Sequence, residues 1–406
     1  MKRLKINYST IQEIGLFAMM NAVLTFLSSS YGFIGRPLYY FGLLVCVISL
    51  LIHPIRIFRS GIIVWYACFW LFMAFSALYS IDGDMTFDTA TYLVGFQFPI
   101  LALVTVYCKN EKNIDLFLKM YILASVILAF IVIKDGSISD KNLRFGITTT
   151  GGQPNTPALN LAPAVAFALY YYRRSSGKRR LLYLLLMILF VGTIFLTGSR
   201  KILIYIFGVF AINAIFETKN LKKTLRRVIG VGVLLILGYI ALLRVPLLYS
   251  TIGSRLFTNL SEEASAVHRS WLLSEAWKYF LKSPIIGNGA HTFKLVNALG
   301  RYAHNNYAEL LTGMGIIGLV MFYGYLVFVT YKLWKYKRDP FCQLMFSIML
   351  MNFVIDYWNV NYVQRGIYFI YALAYAVYRF AREKHNVKNT ADMITTGDPV
   401  GGYLRH

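Results

Sequence analysis

Long apolar runs follow one another along most of this 406-residue chain. A helix crosses the hydrocarbon core of a bilayer with about 20 apolar residues. Runs near that length lie at residues 13–30, 37–52, 61–79, 90–107, 117–134, 158–172, 181–198, 201–216, 228–243, 307–331, 341–357 and 362–380. Hydrophobic residues make up 57% of the sequence, which excludes an ordinary soluble domain. The sequence therefore predicts an all-α, polytopic integral membrane protein with about 12 transmembrane helices.

The placement of the Lys and Arg residues predicts the orientation of these helices. One set of alternating connections, together with both chain ends, holds most of the 41 basic residues. The opposite short connections, such as residues 80–89 and 358–361, hold none. This bias places both termini in the cytoplasm. The net charge of +23 therefore reflects membrane topology and contact with lipids, and no nucleic-acid partner is predicted.

The predicted spans divide the chain into four parts. Residues 1–243 hold transmembrane helices 1 to 9, and residues 244–306 form a large extracytoplasmic loop. Residues 307–383 hold the last three helices, and residues 384–406 form a polar cytoplasmic tail that we predict to be unstructured. A shorter outward loop, residues 134–157, is rich in glycine and threonine.

The large loop does not have the composition of a disordered segment. In its stretch AVHRSWLLSEAWKYFLKS, helical spacing relates Val267, Trp271, Ser274, Trp277 and Leu281, which predicts a helical cap on the outer face of the membrane. The loop carries seven basic residues against three acidic ones, in opposition to the topology bias. This excess favours an anionic ligand at the outer leaflet; the alternative is contact with lipid phosphates.

The stretch RYAHNNYAELLTGMGIIGLV joins this loop to the next apolar run. Asn305 or Asn306 is a plausible N-cap of the helix that follows. His304 is then either an incidental part of a polar cap or a general base, because an imidazole near its unperturbed pKa accepts a proton at neutral pH. The glycines at 313–318 lack the preceding strand of a dinucleotide site. They predict close packing against a neighbouring helix.

Arg200 interrupts another apolar stretch, in the turn of GTIFLTGSRKILIYIFGV. An arginine at a membrane edge either extends to the lipid headgroups or binds a ligand. Its planar guanidinium suits phosphate, which it contacts through two parallel hydrogen bonds. Arg269, in the predicted cap helix, is a second candidate of this kind.

Together these motifs resemble the signature of the O-antigen ligase and polymerase family. The family's pattern is a His, then one residue that is Asn, Ser or Gln, then nine arbitrary residues and Gly-x-x-Gly. In this chain it corresponds to His304, Asn305, the nine residues 306–314 and Gly315-Ile-Ile-Gly318. Arg269-Ser-Trp with the stretch PIIGNGAHTF, and LTGSR ending at Arg200, are similar to the family's loop and turn arginines. Arg144-Phe-Gly and the following Gln-Pro-Asn resemble its earlier outward loop.

The resemblance implies a membrane glycosyltransferase of the GT-C type, with no cofactor and no metal. It would use glycan carried on undecaprenyl pyrophosphate, at the outer face of the bacterial inner membrane. By matched position, Arg200 and Arg269 bind the pyrophosphate and His304 is the catalytic base. Arg144, Arg255 and Asn305 are assigned supporting roles.

The acceptor divides this family, and three hypotheses stay open. A polymerase of surface polysaccharide repeat units (O-antigen, capsule or exopolysaccharide) is favoured, because such genes are numerous and divergent. The alternative is a ligase that transfers the glycan to lipid A–core or another acceptor. A flippase or transporter is less favoured, because Arg200, His304, Asp356 and Arg365 map near the outer boundary and not to the middle of spans.

Overall fold

The computed structural model describes residues 8–27, 31–139, 144–147, 155–217 and 264–396, with isolated residues between 222 and 240. The first half is helical: α1 (Tyr8–Asn21, continued by π-helical Ala22–Phe26), α2 (Gly32–Ile52), α3 (Pro54–Phe58), α4 (Gly61–Phe75, continued by 3₁₀-helical Ser76–Leu78), α5 (Gly83–Tyr107), α6 (Glu111–Asp135), α7 (Asn155–Arg174), α8 (Gly177–Leu196) and α9 (Arg200–Glu217). The second half holds α10 (Ala264–Phe280), α11 (Phe293–Val296), α12 (Asn306–Lys335), α13 (Pro340–Ile355) and α14 (Ile367–Thr396).

The predicted all-α membrane class is confirmed, with one small addition. Between α6 and α7, β1 (Gly136–Ser139) pairs antiparallel with β2 (Arg144–Ile147) in a two-stranded ribbon. This ribbon occupies part of the segment 134–157 that the sequence predicts as a loop. Its four-residue strands are too short for a recognisable alternating pattern.

Six of the described helices are long and apolar enough to cross a membrane: α2, α4 with its 3₁₀ extension, α5, α6, α8 and α12. The apolar helix α13 has 16 residues and is shorter than a full span. The predicted run at 228–243 lies almost wholly outside the described residues. The structure therefore supports a multi-pass protein but does not support the count of twelve.

The core of the bundle forms around α14. Its residues 367–378 are all buried, and α5, α12 and α13 pack against it. A helix that is apolar on all sides is enclosed either by other helices or by lipid, and this stretch is enclosed by helices. At the periphery, by contrast, Leu51 of α2, Leu71 of α4 and Ile188 of α8 are exposed. Apolar side chains on the outside of long helices are stabilised by lipid.

Two predictions about the polar segments have opposite outcomes. The helix predicted in the large loop is confirmed, because α10 spans Ala264–Phe280, while its place on the outer face of the membrane stays a prediction. The prediction of an unstructured tail from residue 384 is wrong up to residue 396, where α14 ends. A polar composition does not exclude a helix that continues from a strongly nucleated one, since propagation costs much less than nucleation.

The large side chains that predict α10 do not form its packed face. Val267, Trp271 and Trp277 are exposed. The packed face instead carries Leu272 and Ala276, which form a small cluster together with Tyr279, Phe293 and Ala303. This cluster joins α10 to the connection that leads into α12.

Candidate functional site

His304 lies in the connection before α12, one residue before the N-cap of that helix. Its φ is +54°, in the left-handed region that side chains rarely adopt. Its ring lies against Tyr302, with the ring centroids 4.1 Å apart. The Asn305 side chain accepts a hydrogen bond from the Ala308 N–H at 2.9 Å. Asn305 is therefore the N-cap, and this bond fixes the helix start beside His304.

The half-buried imidazole of His304 lies in a cationic environment. Burial is the largest cause that lowers its pKa to about 4, and the charges of Arg269, Lys201 and Arg301 lower it further. The imidazole is therefore neutral near pH 7. This pKa is lower than the near-normal value that the general-base hypothesis assumed, because the sequence pattern carries no information about burial or about the cations that other elements bring to this end of the bundle.

The turn before α9 brings a second cationic segment to this end of the bundle. Arg200 is the first residue of α9 and Lys201 the second. Lys201 Nζ donates to the Trp358 carbonyl oxygen at 3.0 Å and to Asn359 Oδ1 at 3.1 Å. These bonds tie the turn to the connection between α13 and α14. Lys201, which the sequence did not single out, is the residue of this turn whose charge lowers the pKa of His304.

The other predicted site residues fall in different places. Arg269 lies on α10, and its charge is one of those that lower the pKa of His304. Arg144 is the first residue of β2, and Arg255 lies outside the described residues. The binding roles of the arginines remain predictions.

A buried polar network holds the start of α12 against the connection after α13. The Asn306 N–H donates to the Asp356 carbonyl oxygen at 2.8 Å, and Asn306 Nδ2 donates to the Tyr323 hydroxyl at 2.7 Å. The Tyr323 hydroxyl donates to Asp356 Oδ2 at 2.5 Å, and Asn361 Nδ2 donates to Asp356 Oδ1. All four side chains are buried. Polar groups that satisfy one another away from water fix the geometry around them.

Two of the glycines after His304, Gly313 and Gly315, contact a loop and not a neighbouring helix. Gly315 has φ +65° and breaks the helical geometry of α12. A Cβ added there would lie 2.3 Å from the Ile285 carbonyl oxygen. The Ile316 N–H donates to the Pro284 carbonyl oxygen at 2.9 Å. The prediction of helix–helix packing is wrong on this point, because the segment PIIGNG makes backbone hydrogen bonds to α12 that a helix could not make.

Two titratable residues near His304 carried no clear signal in the sequence. Glu309, in the first turn of α12, is 1% exposed, and its Oε2 accepts the Ala303 N–H at 2.8 Å. His291 has φ +63°, and burial together with the Lys294 charge lowers its pKa to about 4. A glutamate in a first helical turn usually interacts with the helix dipole. Its sequence position therefore does not predict this buried contact.

Two cavities open at this end of the bundle. The first has a volume of about 680 Å³ and lies between α10 and the start of α12. It is mainly apolar, and its walls include Leu273, Trp277, Tyr307 and Asn305. The second, of about 660 Å³, has a polar wall formed by Asp82, Asp84, Asp88, Thr89 and His291.

Fold and site together define a multi-pass helical membrane protein with a cation-rich site around a neutral histidine, next to an apolar cavity. Residues 184–323 match the family model described as O-antigen ligase. This segment contains Arg200, Arg269, His304 and Gly315, so the resemblance predicted from the motifs is confirmed over about a third of the chain. No curated protein matches the chain significantly. Members of this family are glycosyltransferase-like enzymes that act as ligases or polymerases.

Proposed function

We propose that the protein transfers a glycan from undecaprenyl pyrophosphate to a sugar hydroxyl of an acceptor, at the outer face of the bacterial inner membrane. The observation that carries this proposal is a neutral His304 imidazole beside the charges of Arg269, Lys201 and Arg301. Cations stabilise the negative charge that develops on a departing pyrophosphate. A neutral imidazole accepts a proton from an attacking hydroxyl.

The surroundings of His304 support a lipid-linked donor. Arg269 and Arg200 would bind the pyrophosphate oxygens through paired N–H donors. The apolar cavity beside Asn305 would receive the part of the polyprenyl chain nearest the pyrophosphate. The exposed Trp271 and Trp277 of α10 fit a position at the membrane interface, where tryptophan is enriched.

The proposed step is a direct displacement. The acceptor hydroxyl oxygen attacks the anomeric carbon, and the bond from that carbon to the pyrophosphate oxygen breaks. Undecaprenyl pyrophosphate leaves with the electron pair, and the hydroxyl proton passes to the imidazole of His304. The anomeric carbon is inverted. The sugar–phosphate bond is already activated, so the step uses no nucleotide sugar, and we propose that it uses no metal.

The low pKa of His304 fits this step only if donor binding raises it. A base with a pKa of about 4 is weak at neutral pH. A bound pyrophosphate places negative charge beside the same cations and offsets their effect on the imidazolium. The donor would thus raise the pKa of the base that its own reaction requires.

We propose a polymerase of surface polysaccharide repeat units, with a ligase as the second candidate because the matched family model is described as O-antigen ligase. Deletion of the gene followed by electrophoresis of the cell's glycans separates the two. Single repeat units on the normal acceptor are expected for a lost polymerase, and long chains retained on undecaprenyl pyrophosphate indicate a lost ligase. An unchanged glycan pattern would contradict both. Accumulation of the donor on the cytoplasmic side would indicate the flippase.

The proposed orientation predicts which ends of the helices an impermeant thiol reagent reaches. Ser270 on α10 and Ser176 before α8 are both exposed and lie at opposite ends of the bundle. We expect Ser270→Cys to react in intact or outer-permeabilised cells, and Ser176→Cys to react only after the inner membrane is broken. Cys68 is first replaced by Ser, because it is exposed whereas the other three cysteines are buried. The reverse pattern would place His304 in the cytoplasm and exclude the proposed reaction.

A further inference from the structure

Glu309 is the buried carboxyl group nearest in sequence to His304, and the proposed reaction does not use it. Its side chain is 1% exposed, in the first turn of α12. Removing a carboxylate from water is costly unless it gains specific partners. The contacts of its two oxygens therefore indicate what it does.

The first oxygen holds the backbone that precedes His304. Glu309 Oε2 accepts the Ala303 N–H at 2.8 Å. Ala303 is itself buried, in the cluster that joins this connection to α10. The next residue, His304, has a left-handed backbone, which is unfavourable for a residue with a side chain unless its surroundings impose it. Together with the Asn305 cap, the bond from Ala303 fixes the backbone on both sides of His304.

The second oxygen faces another histidine in a left-handed conformation. Glu309 Oε1 lies 3.8 Å from His291 Nδ1, and among the described residues neither atom has a hydrogen-bond partner. At this distance the contact is too long for a hydrogen bond. It is also not an ion pair near pH 7, because burial keeps the pKa of His291 low. His291 in turn forms part of the wall of the second cavity, together with Asp82, Asp84 and Asp88.

We propose that Glu309 is a positioning residue for His304: it accepts the Ala303 N–H, and so fixes the left-handed backbone from which the imidazole projects. This inference rests on the proposed function, because it assigns the base to His304. It does not assign proton transfer to Glu309, whose bond is to the backbone and not to an imidazole.

Three substitutions separate hydrogen bonding from charge. In Glu309→Gln the amide oxygen still accepts the Ala303 N–H, so we expect kcat within about threefold of the wild type. Glu309→Leu has similar bulk and removes the acceptor, and Glu309→Asp draws the carboxylate back by one methylene. We expect both to lower kcat by about ten- to a hundredfold, because a displacement of about 1 Å has an effect of this size. KM for the donor should change by no more than about twofold, since the cations remain.

The experiment combines transfer kinetics of the purified variants in nanodiscs with amide hydrogen exchange over residues 298–305. Loss of exchange protection in Glu309→Leu and Glu309→Asp, together with the fall in kcat, is the expected result. Thr330→Val is the matched control, because Thr330 is also buried on α12 and, among the described residues, its hydroxyl bonds only to the Leu326 carbonyl oxygen of the same helix. It should change neither measurement.

Three outcomes would overturn the inference. If Glu309→Gln is as inactive as Glu309→Leu, the charge of Glu309 matters and not its hydrogen bond from the Ala303 N–H. Glu309→Leu with full kcat after loss of exchange protection would mean that the bond has no effect on the base. If Glu309→Leu does not fold, Glu309→Asp decides: full kcat together with normal exchange protection over residues 298–305 in that variant would contradict the inference. Inactive wild-type protein with the protection pattern intact would instead contradict the proposed function.

Discussion

Replacing His304 with Asn is expected to lower kcat for glycan transfer by about a thousandfold, within the usual range for loss of a general base. Asparagine suits this test because it tolerates the left-handed backbone that His304 adopts. The change removes the proton acceptor and leaves the Asn305 cap and the Ala303 bond in place. The measurement is turnover of a lipid-linked donor by purified protein in nanodiscs, with and without a chelator. Loss of wild-type activity on chelation would mean that a metal takes part.

His304→Gln and His304→Ala distinguish the base from a structural polar cap. A base predicts that Gln is nearly as inactive as Asn, because an amide can hydrogen-bond the acceptor but cannot take its proton. A structural role predicts that Gln is tolerated and that Ala reduces the amount of folded protein. Ala keeps a Cβ and therefore carries the left-handed strain, about 1–2 kcal/mol, that His304 already carries, so a reduced amount of the folded Ala variant would report lost side-chain contacts. Folded protein is quantified for each variant.

His268→Gln is the matched control, because His268 is exposed on α10 next to Arg269. It should leave turnover unchanged. Near-normal turnover by His304→Gln or His304→Asn would exclude His304 as the base.

The pH dependence of the wild-type protein tests the same role. A base acts only when deprotonated, so activity is present above its pKa and is lost as the pH falls through it. For kcat/KM, which reports the free protein, the acid limb is expected at about 4. For kcat, which reports the donor complex, the limb is expected at higher pH, because the pyrophosphate offsets the charges of Arg269, Lys201 and Arg301. Coincident limbs would contradict a bound anion at these cations.

Arg269→Lys and Arg200→Lys are each expected to lower turnover by on the order of a hundredfold, equivalent to about 3 kcal/mol of stabilisation of the developing anion. The ammonium group keeps the charge but cannot make two parallel hydrogen bonds to phosphate. An arginine that only extends to lipid headgroups would tolerate Lys. Chain length in cells and turnover by purified protein both report the effect.

Arg338→Lys is the control for these substitutions, since Arg338 is exposed in the connection between α12 and α13, at the opposite end of α12 from His304. Normal chain lengths in both variants, at normal protein levels, would exclude the binding of pyrophosphate by paired N–H donors of these arginines. An effect of Arg269→Lys alone would restrict pyrophosphate binding to Arg269 and leave Arg200 to a structural role in its turn.

The sequence by itself determined the membrane class, the helical cap and the order of the motifs. These properties depend on neighbouring residues: the length of an apolar run, the spacing of large side chains along α10, and a short polar residue before a helix. An asparagine N-cap at position 305 or 306 is such a local property, and the structure decides for Asn305. The His304 pattern that leads to the family is local as well. Hydropathy alone could not establish the number of spans, because helices such as α13 are shorter than a full crossing.

Only the tertiary structure decided what surrounds His304. Its charge environment includes Lys201, which is 103 positions earlier in the chain and is held there by Trp358 and Asn359. The Glu309 contact with Ala303 and the docking of PIIGNG on α12 likewise depend on how the chain returns to the same place. Burial and the summed field of distant charges set the pKa of a side chain, and neither has a periodic signature in the sequence.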